Sequence, residues 1–341
     1  MDAVHVIAVA GAHAGERSRY AERLARLTGR TYFAADDLAG SPDPAQEAAV
    51  RSSWADPGVG AVIELPHEVP APDLIGAFAD QDDRVRLVGL VCVVDVMRLL
   101  DDLHQADHLP LRDAESGIAA QLTARALLTV MQLEYASTIV LMRWEPLSPA
   151  DLATTMALVS HLSPTARLRL HPPASEHAAG GDPYAPEQTR PGWVHVLNEE
   201  FDPHMTDSRV SASRYEQVRP LHPERLLGVL DRIEAGEFGV LVRSAGFCRL
   251  ATRSHITAGW EQVGCTFSLV PLDDAGRSAE GELLAIGQDL ALIGMDLDHG
   301  AVAVALDDAA LTDAELSAGP AAWEGFADPF PIWRRAADPA D

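Results

Sequence analysis

Eight residues near the start of the chain have the types and spacing to hold a phosphate. Gly11, Ala12, His13, Ala14, Gly15, Glu16, Arg17 and Ser18 fall in the register G-x-x-x-x-G-K-[ST]. In that pattern glycines let backbone N–H groups converge on phosphate, a lysine spans the outer phosphates and the hydroxyl holds Mg²⁺. The first glycine and the serine are present. Glu16 replaces the second glycine and puts a negative side chain where a polyphosphate must approach. Arg17 replaces the lysine with a planar fork in place of a compact ammonium. Taken alone, the octet fits a generic strand–loop–helix turn equally well.

Two acids at the ends of apolar runs could complete such a site: Glu64 in "VIELPHEVP" (62–70) and Asp95 in "LVGLVCVVD" (87–95). With Ser18 they could gather Mg²⁺, or they could form an ordinary polar cluster at strand ends. His104 and His108 lie four apart on an expected helix with Asp101, Asp102 and Asp107 nearby, a spacing that could hold a divalent metal. A solvated acidic helix end is the plainer reading. His171, His177, His195 and His204 have no fixed spacing.

Positioning these groups requires strands that end beside one another. Apolar runs at 5–10, 61–65, 86–94, 138–142 and near 166–170 read as strands, and amphipathic segments at 15–28, 72–79, 96–104, 118–135 and 148–160 read as helices. Ser148 and Pro149 suit the cap and first position of the last helix. Strands alternating with helices predict an α/β, doubly wound, mostly parallel sheet over 1–170. Residues 171–205 crowd Pro, Gly and charge and read as a linker. A smaller α+β domain is expected over 206–335, with a strand at 209–218, a helix at 222–236 and further strands in "FGVLVRSAGFCRLA", "GCTFSLVPL" and "GELLAIGQDL".

The 341 residues are enough for about two domains. The 51 acids outnumber 26 bases, all of them arginine, for a net charge of −25. That balance argues against nonspecific binding to nucleic acid, which needs clustered positive charge. The absence of lysine excludes Schiff-base chemistry and the P-loop ammonium. No apolar run reaches the ~18 residues of a membrane span, and with no basic leader ahead of the first run the expected address is cytoplasmic. Cys92, Cys248 and Cys265 form no CxxC pair, and Cys92, in an apolar run, reads as a buried structural thiol.

Further ordered blocks carry a resemblance: "QLEYASTIVLMRWEPLSPADL" (132–152), "RPLHPERLLGVLD" (219–231), "VLVRSAGFCRLATR" (240–253), "WEQVG" (260–264) and "LLAIGQDL" (283–290). In order and spacing the chain resembles the CobW-type P-loop GTPases, metal chaperones and cofactor-insertion proteins with a CobW carboxy-terminal domain. The resemblance implies a P-loop NTPase-like first domain, with GTP and Mg²⁺ bound at Gly11, Gly15, Arg17, Ser18, Glu64, Asp95 and Glu145.

Several family positions are changed. His67 stands at the glycine of the family's E-x-x-G strand end. The guanine-reading N-K-x-D falls on Met142, Arg143, Trp144 and Glu145, leaving only the final acid. The family's zinc-holding cysteine-x-cysteine-cysteine segment is absent. If the ammonium, the glycine approach and the guanine readout each contribute a couple of kcal/mol, their loss totals ~5 kcal/mol and moves micromolar binding to millimolar.

The tail "LTDAELSAGPAAWEGFADPFPIW" (311–333) resembles that of the actinobacterial, zinc-responsive members that recruit a ribosome hibernation factor. The implied protein is a weakly nucleotide-binding adaptor in zinc homeostasis with a protein partner, the ribosome or the hibernation factor. The alternative is an active GTP-dependent zinc chaperone. Trp323, Phe326, Phe330 and Trp333 read as an aromatic segment packed on the second domain, or as a docking patch. His222 and Arg225 of "HPERL" read as scaffold, with Arg225 reaching an acid one turn on.

Overall fold

Val4–Ala10 is apolar apart from His5, and a strand buried on both faces belongs inside a parallel sheet. The computed structural model describes residues 3–80, 84–111, 121–171, 184, 190–272 and 287–333. In it this segment is β1, third in a six-stranded sheet. Around it, in chain order, lie α1 (Ala14–Thr28), β2 (Thr31–Phe33), α2 (Pro44–Ser52), β3 (Ala61–Glu64), α3 (Ala71–Ala79), β4 (Val85–Asp95) and α4 (Leu99–His104). They are followed by β5 (His108–Leu111), β6 (Gln121–Ala124), α5 (Arg125–Glu134), β7 (Thr138–Met142), α6 (Pro149–Leu162) and β8 (Arg167–Leu170). The sheet order is β2-β3-β1-β4-β7-β8 with every pair parallel, and β5 and β6 form a separate antiparallel hairpin.

Alternation along β1 assigns its side chains to two cores. Val6, Ala8 and Ala10 join Leu38, Ala48, Leu74 and Phe78 on one face. Ile7 and Val9 join Ala21, Leu24 and Ala25 of α1 on the other. Gly29 ends α1 in the left-handed conformation and returns its N–H to Ala25. Ser148 caps α6 as expected, its hydroxyl accepting from the Asp151 N–H at 3.1 Å.

The chain divides into two compact units, Met1–Gly192 with Phe201–Asp207, and Trp193–Glu200 with Ser208–Asp341. The second contains β9 (Val210–Gln217), α8 (Pro223–Glu234), β10 (Val240–Cys248), β11 (Ala258–Val263), β12 (Thr266–Pro271), β13 (Gln288–Met295), α9 (His299–Ala309), α10 (Asp313–Ala318) and α11 (Pro320–Trp323), preceded by α7 (Gly192–Leu197). Its sheet is antiparallel in the order β12-β11-β10-β13-β9. Leu226, Val229 and Ile233 of α8 and Val302, Ala305 and Leu306 of α9 cover one face, packing on Tyr215, Trp260, Leu290 and Leu292. The architecture is the doubly wound α/β domain and smaller α+β domain expected from the pattern.

Local expectations needed several corrections, among them the unexpected helices α9, α10 and α11. The helix expected at 118–135 is α5 alone, preceded by β6; residues 118–120 lie outside the described set. The segment between α1 and β3 contains β2 and α2, where no element was expected. Part of the supposed linker, 192–197, is helical; residues 172–183 and 185–189 of it lie outside the described set. His104 and His108 do not share a helix, because Gln105 turns extended after α4 and His108 opens β5.

The loop between β1 and α1 depends on Gly11. Its φ is +149°, and a Cβ there would lie 2.5 Å from the Val93 carbonyl oxygen of β4. Gly11→Ala is expected to lower stability by ~2 kcal/mol or more, measured by urea unfolding; a change below ~0.5 kcal/mol would show that β4 yields.

Candidate functional site

Parallel strands place their carboxyl ends at one edge, and ligands of open α/β sheets bind where neighbouring connections diverge. Here that edge collects the residues after β1, β3, β4 and β7. The loop after β1 is short: Gly11, Ala12 and His13, with Ala14 already helical. Arg17 and Ser18 therefore lie in the first turns of α1, facing the end of β3.

Glu64 is the last residue of β3 and is 2% exposed. Arg17, 5% exposed, donates its Nε to Glu64 Oε1 at 3.0 Å and one Nη to the Gly11 carbonyl at 2.7 Å. Ser18 Oγ donates to the same carboxylate oxygen at 2.7 Å, and the Tyr32 hydroxyl of β2 donates to Oε2 at 2.6 Å. Burial, followed by the bond to Glu64, pushes the Tyr32 hydroxyl well above its ordinary value and keeps it protonated as a donor. Both carboxylate oxygens are engaged by the chain itself, and the guanidinium closes the loop from within.

A second network holds the loop from the other side. The Gly11 N–H donates to Gln132 Oε1 of α5 at 3.0 Å, and Gln132 Nε2 donates to the His67 carbonyl at 3.1 Å. Thr129 donates its hydroxyl to the Arg125 carbonyl. It is therefore the acceptor for His67 Nε2–H at 3.2 Å, which leaves His67 Nδ1 to accept from Arg125 at 3.4 Å. Burial first, then the charges of Arg125 and Arg17, push the His67 imidazole down to about 4. His67 is thus a neutral, buried histidine.

The remaining candidates lie apart from Glu64. Asp95, at the end of β4, is buried and pairs with Arg143, with Arg98 Nε at 3.8 Å. Arg143 adopts a left-handed φ of 56° just after β7. Trp144 donates its indole N–H to the His171 carbonyl at 2.9 Å, and Glu145 is exposed. His13 Nε2 lies 2.8 Å from Asp102, whose carboxyl is raised above its usual range mainly by burial. A recess lined by Ala12, His13, Val94, Asp95, Asp102 and Gln132 has room for a water-sized sphere and little more.

The structure therefore brings Gly11, Arg17, Ser18 and Glu64 together, with Gly15 on the same first turn of α1. It places Asp95 in a neighbouring arginine cluster and Glu145 at the surface. Tyr32, Gln132 and Thr129 were missed; each reaches the site through a contact distant in sequence, and no local motif marks them. Among the described residues no group of three or more His, Cys, Asp or Glu side chains gathers in metal-binding geometry. Among them, too, no helix is long and apolar enough to cross a membrane.

Residues 210–310 match the family described as the cobalamin synthesis protein cobW C-terminal domain. Zinc-regulated GTPase metalloprotein activator 1 of Dictyostelium discoideum is 23% identical over 286 residues, covering 76% of this chain. The chain spans 59% of that relative's length. Among solved structures, the Zn(II)-bound YjiA GTPase from E. coli is 13% identical with a TM-score of 0.37, covering 91% of this chain and all of its own. A Zn(II)-bound triple mutant of YjiA gives 12% and 0.38 with the same coverage.

Two outcomes test the site's energetics. Glu64→Gln leaves Arg17 buried without its counter-charge and is expected to cost about 3–5 kcal/mol in urea unfolding; a cost below 1 kcal/mol would mean the pair is solvated. His67 has a folded value near 4 against 6.5 free, so its contribution is complete above pH 6.5 and lost as pH falls toward 4. The slope approaches about 1.4 kcal/mol per pH unit. His67→Gln should remove that part of the acid slope, whereas an unchanged slope would place the titration elsewhere.

Proposed function

We propose, from the premise that residues 210–310 are a CobW carboxy-terminal domain, that this chain is a CobW-like protein of metal homeostasis with a degenerate nucleotide site. It works by contact, as an adaptor that binds GTP weakly or not at all. One observation carries this reading: the Arg17 guanidinium lies between the Gly11 carbonyl and Glu64. In P-loop proteins Mg²⁺ and a lysine neutralise the phosphates. Here the corresponding carboxylate is already neutralised by arginine, and its oxygens are filled by Ser18 and Tyr32.

A magnesium-bound triphosphate does not fit these residues as arranged. Admitting it requires Arg17 to leave Glu64, Ser18 to exchange its acceptor and the Gly11 amide to leave Gln132. Each exchange opposes binding, and none is offset by a lysine or by the asparagine and lysine of a guanine-reading motif. A role in zinc supply rests on the name of the Dictyostelium relative. The partner in this reading is a protein, and the tail's likeness to hibernation-factor-recruiting members makes the ribosome or that factor the first to try.

The relative's name also supports the alternative of an active GTP-dependent zinc chaperone. Thermal-shift titration with GTP and Mg²⁺, with and without Zn²⁺, separates the two. A ligand at 100 times its Kd stabilises by about 2.7 kcal/mol. The adaptor is expected to show no saturable rise in Tm at micromolar nucleotide. A saturable rise there would overturn the degenerate-site reading and favour the chaperone.

A further inference from the structure

The last described residues of the chain, 324–333, contain no helix or strand and yet are held at regular intervals. The Phe326 ring lies 4.5 Å from that of His222. Asp328 accepts from Arg253 Nε at 3.0 Å and from the Thr252 hydroxyl at 2.5 Å. Phe330 packs 5.9 Å from Phe267. Trp333 lies under the Arg253 guanidinium at 4.3 Å and donates its indole N–H to the Leu269 carbonyl at 3.1 Å. Arg253 also donates to the carbonyls of Phe330 and Pro331.

Between these anchors Ala327, Pro329, Pro331 and Ile332 face solvent. Prolines bias Asp328 and Phe330 away from helix, and the Phe330 N–H returns to Asp328 Oδ1 at 3.0 Å. Spaced side-chain anchors on a short irregular segment, with little else buried, are also how a linear peptide is recognised in trans.

The segment is separable from what precedes it. The chain upstream is fastened independently: Arg225 grips Glu315 with two bonds of 2.8 Å, and Trp323 is buried with Ala251 and Leu311. Release from Ala327 onward leaves those contacts, and the packing of Phe326 on the same cluster, intact.

We propose that the groove formed by Thr252, Arg253, Phe267 and Leu269 is a recognition site for an acidic, aromatic peptide of a partner protein, which the chain's own tail fills in cis. The peptide's chemistry is that of the tail: an acid, an aromatic two residues on after proline, and a tryptophan three residues further. Arg253 is the specificity-determining residue, because it reads the acid, two backbone carbonyls and the indole face together. The proposal does not depend on the state of the nucleotide site.

The test uses the full chain and a fluorescein-labelled synthetic peptide of residues 324–333, followed by anisotropy. Phe330→Ala with Trp333→Ala, made together, vacates the groove, and Asp328→Asn loosens it while keeping the aromatic packing. A tethered tail competes at an effective concentration on the order of millimolar. The vacated chain is therefore expected to bind the peptide at least tenfold more tightly than the unsubstituted one, with Asp328→Asn between them. Adding Arg253→Glu to the vacated chain should weaken binding tenfold or more. Absence of peptide binding to the vacated, folded chain, equal binding to the unsubstituted one, or indifference to Arg253→Glu would each overturn the proposal. So would loss of folding in both vacated and loosened chains, which would make the tail a permanent part of the core. A concentration-dependent dimer of the unsubstituted chain would assign the groove to a second copy and also overturn it.

Discussion

The buried ion pair between Arg17 and Glu64 sets the character of the amino-terminal unit. Two charges of opposite sign, each almost wholly removed from water, meet at the carboxyl edge of the sheet. Burying them costs several kcal/mol per ion, and that cost is offset only when geometry and surrounding hydrogen bonds are close to ideal. The Gly11 carbonyl, the Ser18 hydroxyl and the Tyr32 hydroxyl supply those bonds. The loop, α1, β2 and β3 are consequently fastened to one another through a single carboxylate.

The other side of the loop is held separately. The Gly11 carbonyl accepts from Arg17, and the Gly11 N–H, in the preceding peptide plane, donates to Gln132 of α5. Gln132 in turn ties His67, so the turn after β3 is fixed to the loop after β1. Each of these turns is bonded to the other, and the positive φ of Gly11 serves that network. The second unit uses arginine in a similar way, with Arg219, Arg225 and Arg253 each engaging an acid or a carbonyl of the carboxy-terminal segment. Planar guanidinium groups hold several acceptors at once, which suits a chain without lysine.

Much of the fold was legible because its cues are local. Mostly apolar runs marked β1, β3, β4 and β7, and Ser148–Pro149 marked the start of α6. Gly11, Arg17 and Ser18 were singled out by one short register, and Glu64 as the acid ending an apolar run. What was not legible depended on distance. Arg225 was expected to reach an acid one turn on, but it bonds Glu315, ninety residues later, and the Ala310 carbonyl. Gln132 meets Gly11 across 121 residues, and Tyr32 meets Glu64 across 32. β2 and α2 were hidden because an edge strand of three residues and an alanine-rich helix carry little periodic signal. The aromatic tail was read as packed on the second domain, and its residues do lie there, with the arginines that hold it unforeseen.

The central claim is that the guanidinium of Arg17 occupies the place of the phosphates' counter-charge. Crystals soaked with millimolar GTP and Mg²⁺ test it most directly. The account predicts Arg17 still bonded to Glu64 and the Gly11 carbonyl, with no ordered triphosphate in the loop. An ordered triphosphate with magnesium on the Ser18 hydroxyl, and Arg17 swung away from Glu64, would contradict it.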